Sequence, residues 1–338
     1  MTSRLRGWLV AAITVVLLGG AVGYGVYAFN DYRARADAPS QADTAPAATT
    51  ASGPRIVFRN TASGAGYGLV ASVPLDDPSG ARTLTKLACD RVYATQENEM
   101  CLHIDRGALT SFNATLFDAA GSELKSWPLP GIPSRTRISA DSKLVAQTSF
   151  VTGSSYGTVG FSTQTTISQV NGVDYGNLED FTFLVDGQKV TAADRNFWGV
   201  TFADDDNTFY ATAASNNQTW LVRGNLRGRT LVAIHDAAEC PSLSPDGSKI
   251  AYKKRVSTVD GAAYWQLAVL DFGTGTETLL PTKGNVDDQA EWLNDSTLLY
   301  GQADEKAPGD SNVWSIPIDA SAAPTLFIKH AWSPSVVR

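Results

Sequence analysis

The chain is expected to fold as an all-β, six-bladed β-propeller, preceded by one N-terminal transmembrane helix. Three observations predict this: a recurring acidic turn, a recurring Asp at the end of an apolar strand, and chain ends that complete each other. The acidic turn is clearest at Ser244-Pro245-Asp246-Gly247, before the strand-like run 249–252. Its relatives are Asn294-Asp295-Ser296, Asp205-Asp206-Asn207, Ala140-Asp141-Ser142 and Glu97-Asn98-Glu99. From Asn98 through Asp141, Asp205, Asp246 and Asp295 the gaps are 43, 64, 41 and 49 residues. Periods of this size mark propeller blades, each of four strands.

The second mark is Leu75-Asp76, Phe117-Asp118, Leu270-Asp271 and Ile318-Asp319, with Val185-Asp186-Gly187 similar and Gly224-Asn225 in the same role. Short Asp and Asn side chains bond to backbone two residues on, which suits these corners. Residues 265–270 and 312–318 alternate large apolar with polar groups, as half-buried strands do.

The third mark is closure. The run 55–59 reads as a second strand with no first strand before it, and 331–337 reads as a first strand with nothing after it. Together they complete one blade and remove exposed sheet edges. Five internal units and this split one give six blades of about 47 residues. The long gap between Asp141 and Asp205 predicts an extra hairpin in blade 3, within residues 156–190.

In chain order, residues 1–7 are read as a cytoplasmic stub, 8–29 as a transmembrane helix, 30–54 as a flexible Ala/Pro/Thr linker, and 55–338 as the propeller. Residues 8–29 carry no charge and, as a helix, reach ~33 Å, enough to span a bilayer core. Trp8, Tyr24, Tyr27 and Phe29 lie near the ends, where interfacial aromatics belong. Arg4 and Arg6 favour an inside N-terminus, which Arg33 and Arg35 on the other flank oppose. The propeller is therefore expected outside the cytoplasm, on a single-pass anchor. A cleaved signal peptide is the rival, with Ala36-Asp37-Ala38 as the cleavage site. The apolar stretch is longer than such peptides need.

With 338 residues, 43% hydrophobic and 18% charged, the chain can bury a large core. Residues 1–54 hold four of the 27 basic and three of the 34 acidic residues, so the remainder carries a net charge of −8. That excludes a nucleic-acid phosphate backbone as the main partner. An exported domain makes a Cys89–Cys101 disulfide plausible, with Cys240 free; three small buried thiols are the alternative. A turn centred on Glu97 and Asn98 places Cys101 opposite Tyr93, so the bridge needs the Cys89 segment to curl back.

Motifs for chemistry are sparse. Gly153-Ser154-Ser155-Tyr156-Gly157 matches a nucleophile elbow, but a β-like run follows where a helix is needed. His103, His235 and His330 fall in different units without metal-ligand spacing, and Asp204-Asp205-Asp206 sits at a repeat turn. No metal, cofactor or catalytic residue is expected.

Residues 240–255 with 267–280 resemble the propeller repeats of TolB-type translocation proteins. Residues 55–338 as a whole are similar to membrane-anchored TolB-like proteins of actinobacteria, with 196–203 and 286–292 as further blocks. The resemblance implies an envelope propeller that docks a partner. TolB proteins carry an α/β domain where residues 30–54 stand here, so their particular partner is not carried over.

In such propellers the first strand of each blade lines the channel, and the link entering it forms one mouth. Arg91, Arg137 and Arg195 fall in links of blades 2 to 4, and Glu239, Asp287 and Asp288 in links of blades 5 and 6. The expectation is a mouth positive on one side and negative on the other, with Trp198, Trp332 and His330 beside it. It would bind an unknown envelope protein or ligand. The alternative is a propeller hydrolase or lyase acting in the channel. It requires two of His330, Glu239 and Asp288 within hydrogen-bond reach.

Overall fold

The computed structural model describes residues 3–45, 53–107, 109–151, 162–259 and 262–338. Parts of four expectations lie outside them: residues 1–2 of the stub, residues 46–52 of the linker, the Gly153–Gly157 motif, and residues 156–161 of the predicted insertion. The chain divides into two units.

The first unit joins residues 1–41 with 62–67. Its helix, Ser3–Ala36, is 34 residues long, and its window Ile13–Asn30 is long and apolar enough to cross a membrane. The side chains from Ile13 to Val26 are exposed in this unit.

The second unit is the propeller of six sheets. In blade 1 the C-terminal strand Ala331–Val337 is innermost. Arg55–Asn60, Leu69–Pro74 and Arg82–Ala88 follow outward. Arg55 pairs with Val337 and Asn60 with Ala331, so the two ends of the chain close one sheet as expected. Thr44–Ala45 adds a short parallel strand to Arg82 and Thr83, so part of the linker is tied to blade 1. Blade 2 runs Arg91–Ala94, Asn98–Arg106, Thr110–Asp118 and Glu123–Pro128. Blade 3 runs Ile132–Ile138, Leu144–Val151, Ser162–Gln169 and Asp174–Asn177. Blades 5 and 6 begin at Glu239–Leu243 and Glu291–Asn294 and have four strands each.

Blade 4 corrects the sequence reading. Its four antiparallel strands, from Asn196–Phe202 to Thr230–Asp236, are extended by Thr182–Val185 and Gln188–Lys189. The extra hairpin thus covers the outer edge of blade 4 instead of enlarging blade 3. It pairs there in parallel, Phe183 with Leu231. Phe183 holds it: the ring meets Phe197 at 5.6 Å and Trp220 at 5.7 Å, both edge-on, in the largest aromatic cluster. Such pairs add about 1 kcal/mol each beyond burial.

In four of the five acidic turns a carboxylate or amide caps its own corner; in the fifth, Thr95 Oγ1 accepts from Asn98 N at 3.1 Å. Asp246 accepts from Ser248 N at 3.0 Å and from Ser244 Oγ at 2.6 Å, while Ser244 Oγ accepts from Lys249 N at 2.9 Å. Asp205 and Asn294 do the same at Asn207 and Ser296. The turns also touch their neighbours. Asp246 N donates to Asp295 at 3.1 Å, and Lys143 reaches Asp206 at 2.7 Å.

Cys89 and Cys101 form a disulfide with Cα atoms 5.4 Å apart. Cys101 faces Val92 in the ladder, one residue from the position expected. Cys89 comes within reach because Asp90 N bonds to Leu102 O at 2.8 Å, folding the preceding residue back over the strand. Cys240 is free and buried.

Candidate functional site

The innermost strands converge on the axis, and the charges of their links meet there. Arg91 of blade 2 bonds to Asp288 of blade 6 at 2.9 Å. Arg135 of blade 3 lies 4.0 Å from the same carboxylate and donates to Asp287 O at 3.2 Å. Arg137 pairs with Glu291 and donates to Ala290 O at 3.0 Å and Ser242 Oγ at 3.3 Å. Glu291 also accepts from Val336 N of blade 1 at 3.2 Å and Tyr93 OH of blade 2 at 3.4 Å. Lys253 of blade 5 pairs with Asp287 and lies 3.8 Å from Glu239, which accepts from Trp265 Nε1 at 3.1 Å. Gln289 Nε2 closes the ring, donating to Val200 O of blade 4 at 3.1 Å and Pro241 O of blade 5 at 2.6 Å.

The expected mouth, positive on one side and negative on the other, is therefore corrected. Its halves touch, because the channel is narrow enough for side chains from opposite blades to reach across it. Asp288 is 2% exposed, whereas Asp287, at the rim, keeps 64% of its side chain exposed. Between Arg91, Arg135, Arg137 and Asp288 remains a cavity of about 20 Å³, room for a water-sized species. Asp288 Oδ2 and the Nε atoms of Arg135 and Arg137 are buried there without a hydrogen-bond partner.

The cations are also stacked. Arg91 lies 4.8 Å over Trp332, Arg137 4.5 Å over Tyr93, and Lys253 4.3 Å over Trp265. Two glycines make this closeness possible. A Cβ on Gly301 would stand 2.6 Å from the Trp332 ring and 2.8 Å from Asp288 Oδ2. On Gly199, at φ +68°, it would stand 2.7 Å from Cys240 Cα of blade 5. Burial and the neighbouring Arg135 bring Arg91 down to about 10, still charged at neutral pH. Burial, reinforced by Glu291, pushes the Tyr93 phenol up to about 12. Arg137 stays above the usual range, because Tyr93 and Glu291 outweigh the desolvation of its charge.

The remaining predicted residues lie apart from this cluster. Arg195 is half-buried and donates to Val190 O at 3.4 Å. Trp198 is 6% exposed in the inner strand of blade 4, packed and not presented. His330 sits at φ +53°, and its Nδ1 shares a 2.6 Å hydrogen bond with Asp310, which also accepts from Thr61 Oγ1 at 2.7 Å. Thus His330, Glu239 and Asp288 each have a different partner. Tyr93, Lys253, Gln289 and Glu291 were not singled out from the sequence. The one signal was a charged residue at an inward strand position: Lys253, between Tyr252 and Lys254, is 3% exposed. Among the described residues no group of three or more His, Cys, Asp and Glu converges as a metal site.

No family model matches the chain. A curated relative, dipeptidyl-peptidase 5 of Porphyromonas gingivalis, is 27% identical over 146 residues. These are 43% of this chain and 20% of the relative, so the chain spans about a fifth of that protein. Among solved structures, TolB from Acinetobacter baumannii superposes with a TM-score of 0.57 at 15% identity, over 84% of this chain and 67% of that one. A chain of a nidogen/laminin complex superposes with a TM-score of 0.55 at 10% identity, over 84% of this chain and 98% of that one. At these identities the likeness shows the fold alone: a six-bladed β-propeller of the TolB-like kind.

Proposed function

We propose that the chain is a membrane-tethered propeller that docks a protein partner outside the cytoplasm, and that it is not a channel enzyme. The observation that carries this reading is the ion-paired plug. A channel that worked on a substrate would keep space and free titratable groups. Here the space left between Arg91, Arg135 and Asp288 is about 20 Å³, and Asp288 and Glu291 are held by cations of other blades. What remains at the rim is a surface with Asp287 exposed and Trp332 half-buried beneath Arg91. Rim charges steer encounter and orientation and are screened by salt. The apolar helix supports the tether, and the resemblance of the repeats to TolB-type proteins supports an envelope partner.

The test is cross-linking in intact membranes, comparing wild type with Asp287→Asn at equal protein level; Asn removes the rim charge but keeps an acceptor for the buried Lys253, which also retains Glu239 at 3.8 Å. Loss of the cross-linked species is expected, with the melting temperature within a few degrees of wild type. Unchanged recovery contradicts docking at this mouth. Asp288→Lys is unsuitable, because it would leave Arg91 and Arg135 buried without their counter-ion.

A second reading, hydrolysis, is favoured by one observation. The Asp310–His330 pair leaves the other imidazole nitrogen available as a base, in a chain sharing a stretch with a dipeptidyl-peptidase. It requires turnover of a dipeptidyl anilide that disappears in His330→Gln. Turnover equal in wild type and variant rejects it.

A further inference from the structure

A groove between blades 1 and 2 encloses about 520 Å³, within the range of small-molecule sites. Its floor is apolar, made by Val57, Val70 and Ala71, with Leu84, Leu87 and Phe117 along the sides. Glu99 enters from blade 2, sharing one sheet face with its cross-strand neighbours Ala94 and Phe117. Strand Arg91–Ala94 runs from the mouth to the Asn98 turn, so the groove opens at the opposite end of the blade from the plug.

The charged groups around the groove differ in how far they are engaged. Arg55 donates Nη1 to Gly53 O at 3.2 Å, and Lys86 is exposed on the rim. Asp118 is occupied by its own turn, accepting from Ala120 N at 2.9 Å and Ser122 N at 2.8 Å. Glu99 is different. Among the described residues its carboxylate accepts no hydrogen bond, and it stands half-buried against the apolar wall. Burial pushes it up to about 7, with only Arg55 acting in the other direction. An acceptor left in that state costs stability unless a donor arrives.

We propose that this groove binds an amphipathic amine, with its ammonium nitrogen against the Glu99 carboxylate and its hydrocarbon body over Leu84, Leu87 and Phe117. The nitrogen supplies the donor and charge that Glu99 lacks, and the body removes the apolar walls from water. The site is separate from partner docking at the mouth, so either can fail while the other stands.

The test uses the full chain in zwitterionic nanodiscs, with empty discs subtracted, and phenethylamine as the probe in titration calorimetry at pH 8. Saturable binding is expected. It should weaken about tenfold or more for the neutral analogue 2-phenylethanol and in Glu99→Gln, the size of one charge-assisted hydrogen bond. Leu84→Trp, which fills the groove and leaves Glu99 in place, should abolish it. Glu99→Gln should fold, because it removes a buried group that is costly when ionised. Its melting temperature at pH 8 should equal or exceed that of wild type. No saturable heat from wild type, or equal affinity in a folded Glu99→Gln, overturns the proposal.

Discussion

Glu291 is bound from three other blades at the axis, and its role was not legible in the sequence. Nothing in the run Ala290-Glu291-Trp292 says that this carboxylate meets Arg137, Tyr93 and Val336 N from three other blades. A charge at an inward strand position is legible as unusual. Its partner is set by the circular arrangement of blades, which local patterning does not encode. The reverse holds for the acidic turns. Asp205, Asp246 and Asn294 cap backbone within three residues, so sequence alone identifies them. Glu277 gives a prediction at this scale. Although burial opposes its charge, hydrogen bonds from Lys254, Tyr252 and His235 hold it down at about 2. A carboxylate depressed below its unfolded value of about 4.5 contributes stability above that pH. The contribution is lost as pH falls towards 2. Urea titrations of wild type and Glu277→Gln should differ most at pH 6 and converge only as the pH falls to about 2. A difference that stays constant over this range would reject the assignment.

At the scale of elements, the closing strand and the disulfide were legible, and the added hairpin was misplaced. Residues 331–337 and 55–60 alternate as strands and lack partners of their own, which leaves each other as the solution. The long gap between Asp141 and Asp205 announced extra chain, but periodicity does not say which edge it joins. That choice was made by Phe183, which packs on Phe197 and Trp220 of the following blade. The Cys89–Cys101 bridge closes a loop of separation 12 and ties the link entering blade 2 to its second strand. Chain-entropy arithmetic for such a loop gives about 3 kcal/mol. Cys89→Ser with Cys101→Ser should lower unfolding free energy by roughly that amount without changing the far-ultraviolet spectrum. A loss below about 0.5 kcal/mol would mean that the link is held by Asp90 N and Leu102 O alone.

At the scale of the molecule, the six blades are joined in two ways: the apolar faces between sheets, and the polar plug at the axis. Taking Arg91, Arg137, Asp288 and Glu291 out of water costs about as much as their pairing returns. The plug's main effect is therefore to fix which blades face each other and to fill the channel. Removing one member has a different consequence, since it leaves an uncompensated buried charge and costs about 3–5 kcal/mol. The central claim is that charges from opposite blades bond across the axis. A double-mutant cycle on Arg137 and Glu291, with Arg137→Met, Glu291→Gln and the pair measured by urea unfolding, tests it most directly. The account predicts that each single change is strongly destabilising. The double change should cost less than the sum of the two, with a coupling of about 2 kcal/mol or more. Additivity within about 0.5 kcal/mol would contradict it.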